Sequence, residues 1–458
     1  MAILLSRSII LSLLLSSVLY AIQVVHGDEH FQDVAVDSLK TAAVCSAPKG
    51  HGPNTLKIIH RHGPCSTLGG IKPDHHQALA QDSLRVASLQ SRASGRPNAT
   101  LQLTTEASLP LQRGTYLGTG NYVVTFGLGT PTRSQTVVMD TGSDVCWVQC
   151  RPCLRSCYRQ QEPVFNPSTS STYRKIPCAS ATCKKQVYGG SCSGRYCAYS
   201  VHYGDNSSTA GFLSADKLTV TPTNVFPSFV FGCGQNNQGL FGRAAGLFGL
   251  ARSPYSLVSQ TASRFGNAFS YCLPQSNSGI GQLRLGRSSA RSALYTPMLT
   301  NRLAPVFYFL DLIGISVGGV RLAVPPTVFR AGGTIIDSGT VITRLPPAAY
   351  AALRLAFRSG MSQYPLAQPV SLLDTCYDFT SYSNVQHPLV TLHFRGVDLK
   401  LRSAGVFYFL DISRVCLAFA GNTDPRDVGI IGNTQQRTLE VIYDVGAQRI
   451  GFAAGTCG

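Results

Sequence analysis

VVMDTGS at Val137 to Ser143 and TIIDSGT at Thr334 to Thr340 read as one motif written twice. In each, an apolar run ends in an aspartate, a hydroxyl residue, a glycine and a second hydroxyl residue. A single Asp-Thr-Gly or Asp-Ser-Gly is most often a turn capped by its own side chain. Two copies behind buried-type strands, with Asp140 and Asp337 lying 197 positions apart, imply duplicated lobes of ordinary domain size. If the two loops meet at the lobe interface, the carboxylates cannot both ionise and share one proton. Such a pair offers a base to deprotonate a water attacking a peptide carbonyl, and an acid to hydrogen-bond the developing oxyanion. That chemistry needs no metal, cofactor or covalent intermediate. Gly142 and Gly339 would let the loops approach, because a Cβ there would crowd the opposite carboxylate. Ser143 and Thr340 are placed to donate to the outer carboxylate oxygens, while Thr141 and Ser338 could tie the loops together.

Around these motifs the chain changes character twice. Met1 to about Gly27 has Arg7 followed by a short apolar run, the pattern of a cleaved secretory signal. The run is shorter than the roughly 20 apolar residues a membrane anchor requires. From His26 at the edge of that signal to about Gln112 lie seven of the ten histidines and a helix-like stretch near His76 to Gln90. From about Thr115 onward, short β-branched or aromatic runs alternate with Gly, Pro, Asn and Ser, an all-β signature. The exception is Pro346 to Phe357, where Pro347 suits a first helical turn and Ala349, Leu353 and Phe357 share a face.

Composition narrows the classes. Fifteen cysteines in a chain with a secretory leader argue for disulfides over metal. Cys150 and Cys153 form a CxxC, but no second CxxC or HxxxH follows at zinc spacing. The formal charge of +17 comes from scattered bases and scarce acids; without a basic run or recognition motif, nucleic acid is not the expected partner.

Further motifs carry a resemblance. Trp147 stands seven positions after Asp140, Tyr203 opens a YGD turn, AAGLFGL spans Ala244 to Leu250, and IIGN spans Ile430 to Asn433. From about Thr115 to Gly458 the chain resembles pepsin-type aspartic proteases, most closely the plant nepenthesin-like branch. The resemblance implies a mostly β, bilobal pepsin-like fold with the active-site cleft between two β lobes, Tyr203 on a flap over substrate, and Trp147 supporting it through the indole N–H. It implies a monomeric endopeptidase acting on peptides or proteins at acidic pH, secreted to the apoplast or cell wall, with the vacuole as the other destination. It also implies disulfides Cys150–Cys153, Cys157–Cys233, Cys178–Cys197, Cys183–Cys192, Cys272–Cys457 and Cys376–Cys416, leaving Cys146 over. The contrasting reading is a non-catalytic binding or inhibitor protein of the same fold; the intact pair of motifs favours catalysis.

The expected organisation is a signal at 1–27, a pro-segment at 28–114, an N-terminal β lobe with a cysteine-rich insert at 115–300, and a C-terminal β lobe at 301–458. LKIIHRHG at Leu56 to Gly63 is expected to begin as a strand and turn Lys57, Arg61 or a protonated histidine toward the carboxylates. His60, His62, His75 and His76 suggest an acid-triggered release. Asn98 and Asn206 head glycosylation sequons, the second at the expected flap tip.

Overall fold

The computed structural model describes residues 30–39, 45, 54–68, 74–94, 122–184, 191–203, 207–239, 241–274 and 279–454. The expected signal, both sequon asparagines and Cys457 lie outside them.

Each half repeats one arrangement behind its aspartate. Arg133–Asp140 runs parallel to Gly246–Gly249, with Asp140 beside Gly249, and Gly246–Gly249 pairs antiparallel with Trp147–Gln149. In the second half Thr334–Ile336 runs parallel to Gly429–Ile431, with Ile336 beside Ile431, and Gly429–Ile431 pairs antiparallel with Thr343–Leu345. AAGLFGL and IIGN thus supply the middle strands of the two units. Both faces of these strands are covered, which is why the runs are continuously apolar: Val137, Met139, Ile335 and Ile336 are all buried. The helix Pro347–Gly360 carries proline in its first turn and buries Ala349, Leu353 and Phe357 on one face.

The upstream segment is built into this body. Thr55–His60 inserts between two strands of the large sheet, five residues of it in register with Ile280–Leu285 and two with Tyr122–Leu128. Phe31–Ala35 adds an antiparallel strand to Asn384–Pro388 in the second half. After them comes the helix His75–Ala93, N-capped by the Asp74 carboxylate accepting from the His76 N–H. Its apolar stripe of Leu79, Val86, Leu89 and Ala93 is buried.

Disulfide pairing departs from the family expectation within the insert. Parallel pairing of Trp147–Gln149 with Asn224–Gln238 sets Val148 beside Cys233, and Cys150 and Cys233 are joined with Cα atoms 5.3 Å apart. Cys153 then closes a short loop with Cys157. The buried Cys197 joins Cys183, which sits in the same apolar cluster. Cys192, on the exposed hairpin, is left to Cys178. Register alone would have misled here, since Cys192 and Cys197 stand directly opposite one another. Cys376–Cys416 links two paired strands, Cys45–Cys65 staples the upstream segment, and Cys272 is also oxidised.

Candidate active site

The two repeated units deliver their aspartates to one point. Asp140 closes its strand and Asp337 follows Ile336, and both are buried. The Gly142 N–H donates to Asp140 Oδ1 at 2.9 Å, Ser143 Oγ donates to Asp140 Oδ2, and Thr340 Oγ1 donates to Asp337 Oδ2 at 2.6 Å. Across the interface the Ser338 N–H donates to Thr141 Oγ1 at 2.8 Å, and the Thr141 N–H to Ser338 Oγ at 3.1 Å. These reciprocal bonds fix the two loops against each other. A Cβ on Gly142 would lie 2.7 Å from Asp337 Oδ1, and one on Gly339 would lie 2.6 Å from Asp140 Oδ1. Only glycine permits this separation.

A cation from the upstream helix lies between the carboxylates. Arg85 Nη2 donates to Asp140 Oδ1 at 2.6 Å, and Nη1 to Asp140 Oδ2 at 3.0 Å. Nε and Nη2 reach Asp337 Oδ2 at 3.0 and 2.9 Å. One planar guanidinium therefore satisfies both acids, a geometry no ammonium could match. Burial pushes Asp140 up, but the Arg85 charge and the hydrogen bonds from Arg85, Ser143 and Gly142 outweigh it and hold the carboxyl below its ordinary range. At Asp337 burial prevails over Arg85, and the neighbouring Asp140 adds to it, so this carboxyl is raised.

The expectation that the LKIIHRHG segment reaches the carboxylates is not met. Thr55–His60 is a strand, but it ends inside the sheet with Lys57 exposed. The His60 ring packs edge-on to Tyr122, centroids 5.4 Å apart. Arg61 extends toward Gly242, where a Cβ would meet its Nη2 at 2.6 Å. The strand's sheet partners fix its direction, and the cleft is filled by the helix instead.

Other helix residues bind the cleft walls. The Asp82 carboxylate accepts from the Val341 and Ile342 N–H groups at 2.6 and 3.3 Å and from Arg344 Nη2 at 3.0 Å. Gln90 Nε2 donates to the Val428 carbonyl at 2.8 Å, while its Oε1 accepts from the Val428 N–H at 2.6 Å. Arg92 pairs with Asp144 at 2.9 Å, donates to the Gly142 carbonyl and stacks over Phe307. Arg85, Asp82, Gln90 and Arg92 were all missed from sequence. The available signal was charge at Asp82 on the same helical face as Leu79, Val86 and Leu89, where an amphipathic helix should be apolar.

On the opposite side, Trp147 Nε1 donates to the Tyr203 hydroxyl at 2.9 Å, and Tyr203 packs on Phe241. Tyr203 sits at the mouth of the hairpin formed by Tyr196–His202 and Ser208–Thr221, its N–H bonded to the Ser207 carbonyl. Cys146 is the free cysteine among the described residues. Burial pushes its thiol up to about 12, against a weak bond to the Gly249 carbonyl. A thiol so held is not a nucleophile. No cluster of three or more metal-binding side chains occurs among the described residues, and no described helix is long and apolar enough to cross a membrane.

Comparison with known proteins agrees with this geometry. Residues 122–287 match the family described as xylanase inhibitor N-terminal, and residues 307–454 match xylanase inhibitor C-terminal. An aspartyl protease family protein of Arabidopsis thaliana is 46% identical over 443 residues, covering 94% of this chain and 93% of its own. Aspartic proteinase nepenthesin-1 of Nepenthes gracilis is 35% identical over 424 residues, covering 89% and 94%. Among solved structures, soybean basic 7S globulin shares the fold with a TM-score of 0.59 at 22% identity, covering 73% of this chain and 91% of its own. With two carboxylates from repeated loops at one point, and relatives of this identity over nearly the whole chain, the protein belongs to the pepsin-type aspartic proteases, in their plant nepenthesin-like branch.

Proposed function

We propose that the chain is made as a secreted zymogen and matures into an endopeptidase acting at acidic pH, with Asp140 and Asp337 as its catalytic pair. In this reading residues 1–27 are a signal and 28–114 a removable segment. The mature body has lobes at about 115–300 and 301–458, and is delivered to the apoplast or the vacuole. The observation that carries the reading is the Arg85 guanidinium seated between the two carboxylates, in the space a water and a scissile peptide would need. Once Arg85 withdraws, two acids this close share a proton. Hydrogen bonds from Gly142 and Ser143 favour ionised Asp140 as the base, while burial leaves Asp337 the proton it donates toward the oxyanion. Tyr203, steadied by Trp147, closes over the peptide.

Acid would release the segment through its buried histidines. Burial, with His62, Arg437 and Arg61 adding like charge, holds His60 well below its ordinary value. Burial and Arg61 push His62 down to about 3. His75 is lowered by burial and His76, with Asp74 and Asp411 opposing, and its ring bonds the Tyr408 hydroxyl. A base whose pKa is lower when docked stabilises docking fully above its free value near 6.5, and that stabilisation is lost as pH falls toward the docked value. The device is the cost of charging buried imidazoles.

A non-catalytic binding role is the second reading, favoured by the family description and by the globulin fold neighbours. The retained hydroxyls at Thr141, Ser143, Ser338 and Thr340 weigh against it. The discriminating experiment is incubation of purified chain at acidic pH followed by a peptide library, with and without pepstatin. Pepstatin-sensitive cleavage is expected; an acid-treated, shortened chain that cleaves nothing would favour the binding role.

A further inference from the structure

The Asp82 carboxylate occupies a site built for an anion. It is fully buried, and its partners are the N–H groups of Val341 and Ile342 and the guanidinium of Arg344, whose side chain is 5% exposed. All three belong to the mature body. Val341 follows Thr340 directly and lies four residues after Asp337, so the site adjoins the catalytic loop. Arg344 is held from behind: its Nη1 donates to the Ile342 carbonyl at 2.7 Å, and its strand pairs with Gly429–Ile431. Removing the upstream helix takes away the carboxylate and leaves the cation and two amide donors facing the cleft. A desolvated charge losing its partner is destabilising unless another anion or water replaces it.

We infer that this pocket is a substrate subsite selecting an acidic side chain, with Arg344 as the specificity-determining residue; the inference rests on the protease reading above. Asp82 and Arg85 stand three residues apart on one helix, so they are separated by about 4.5 Å along its axis. An extended peptide advances about 3.3 Å per residue. With its scissile bond where Arg85 now lies, a substrate places an Asp or Glu side chain in the pocket from one or two residues away, on one fixed side of the cut. Val341 and Ile342 share a buried apolar cluster with Leu79; once Leu79 leaves with the helix, these two remain as an apolar flank that suits the stem of a longer acidic side chain.

The test uses acid-activated enzyme and peptide pairs that differ only by Asp or Asn at one scanned position. At one position near the cut, kcat/KM is expected to favour Asp by about tenfold at pH 5 to 6, and the preference should fade below about pH 4 as the substrate carboxyl protonates. Arg344→Gln should bring the ratio to about one, with Arg344→Lys intermediate. Should Arg344→Gln fail to fold, Asp82→Asn serves, since its mature body is wild type: the segment should release at higher pH. Cleavage without an Asp preference at any position, a preference unchanged in Arg344→Gln, or an unaltered release pH in Asp82→Asn would each overturn the inference. Absence of all cleavage would instead overturn the protease reading.

Discussion

Arg85 is the residue whose chemistry is most exposed to test. It is paired with two buried acids at once, and removing one partner from such a cluster typically costs about 3–5 kcal/mol. Arg85→Gln should therefore loosen the helix enough for pepstatin to enter at neutral pH, where the intact wild-type chain is expected to exclude it. Trp147 is the single tryptophan and bonds Tyr203, so its fluorescence reports that entry directly. Unchanged exclusion would show that Arg85 does not hold the cleft shut. The histidines act at the same scale. With His62 shifted to about 3 when docked, keeping it neutral at about pH 4.5 costs on the order of 2–3 kcal/mol. His62→Gln and His60→Gln should move segment release to lower pH, read by gel mobility across a pH series, and an unchanged profile would remove the switch. Asp140, Asp337 and the hydroxyls beside them were legible because the motif is local and repeated. Arg85 was not, because what gives it meaning is its contact with acids 55 and 252 positions further along the chain.

Among the elements, the helix His75–Ala93 brings Arg85 between the two carboxylates and the strand Thr55–His60 joins the large sheet. The sequence indicated both as elements, a helix-like stretch near His76 to Gln90 and a strand beginning in LKIIHRHG. Their division of labour was reversed, since LKIIHRHG was expected to face the carboxylates. Periodicity can show that a segment is a strand; it cannot show which edge receives it. The insert disulfides were illegible for a related reason: Cys150 meets Cys233 only because a parallel strand pairing brings them together. Leu89 is 2% exposed and shares a buried apolar cluster with Phe307, Val428 and Ile430, so Leu89→Ala should weaken helix docking by about 2–5 kcal/mol. Hydrogen exchange of the helix amides would register this as faster opening, while amides of Pro347–Gly360 keep wild-type protection. Equal loss in both helices would mean the upstream helix is part of the global fold rather than a separable plug.

At the scale of the whole molecule, the fold is a duplication that brings two strand-ending acids together. Lobed architecture was visible in the sequence because each unit keeps its own apolar strand, acid, glycine and middle strand. The upstream segment's grip on both halves was not visible, with Phe31–Ala35 on one sheet and Thr55–His60 in another. The proposed function rests on Asp140 and Asp337 working as a pair, so the most direct measurement compares acid-treated wild type with Asp140→Asn and Asp337→Asn on one peptide substrate. Both variants keep the shape and most hydrogen bonds of the site, and each should lose at least about 10²–10⁴-fold in kcat. Either variant cleaving at the wild-type rate would contradict the account.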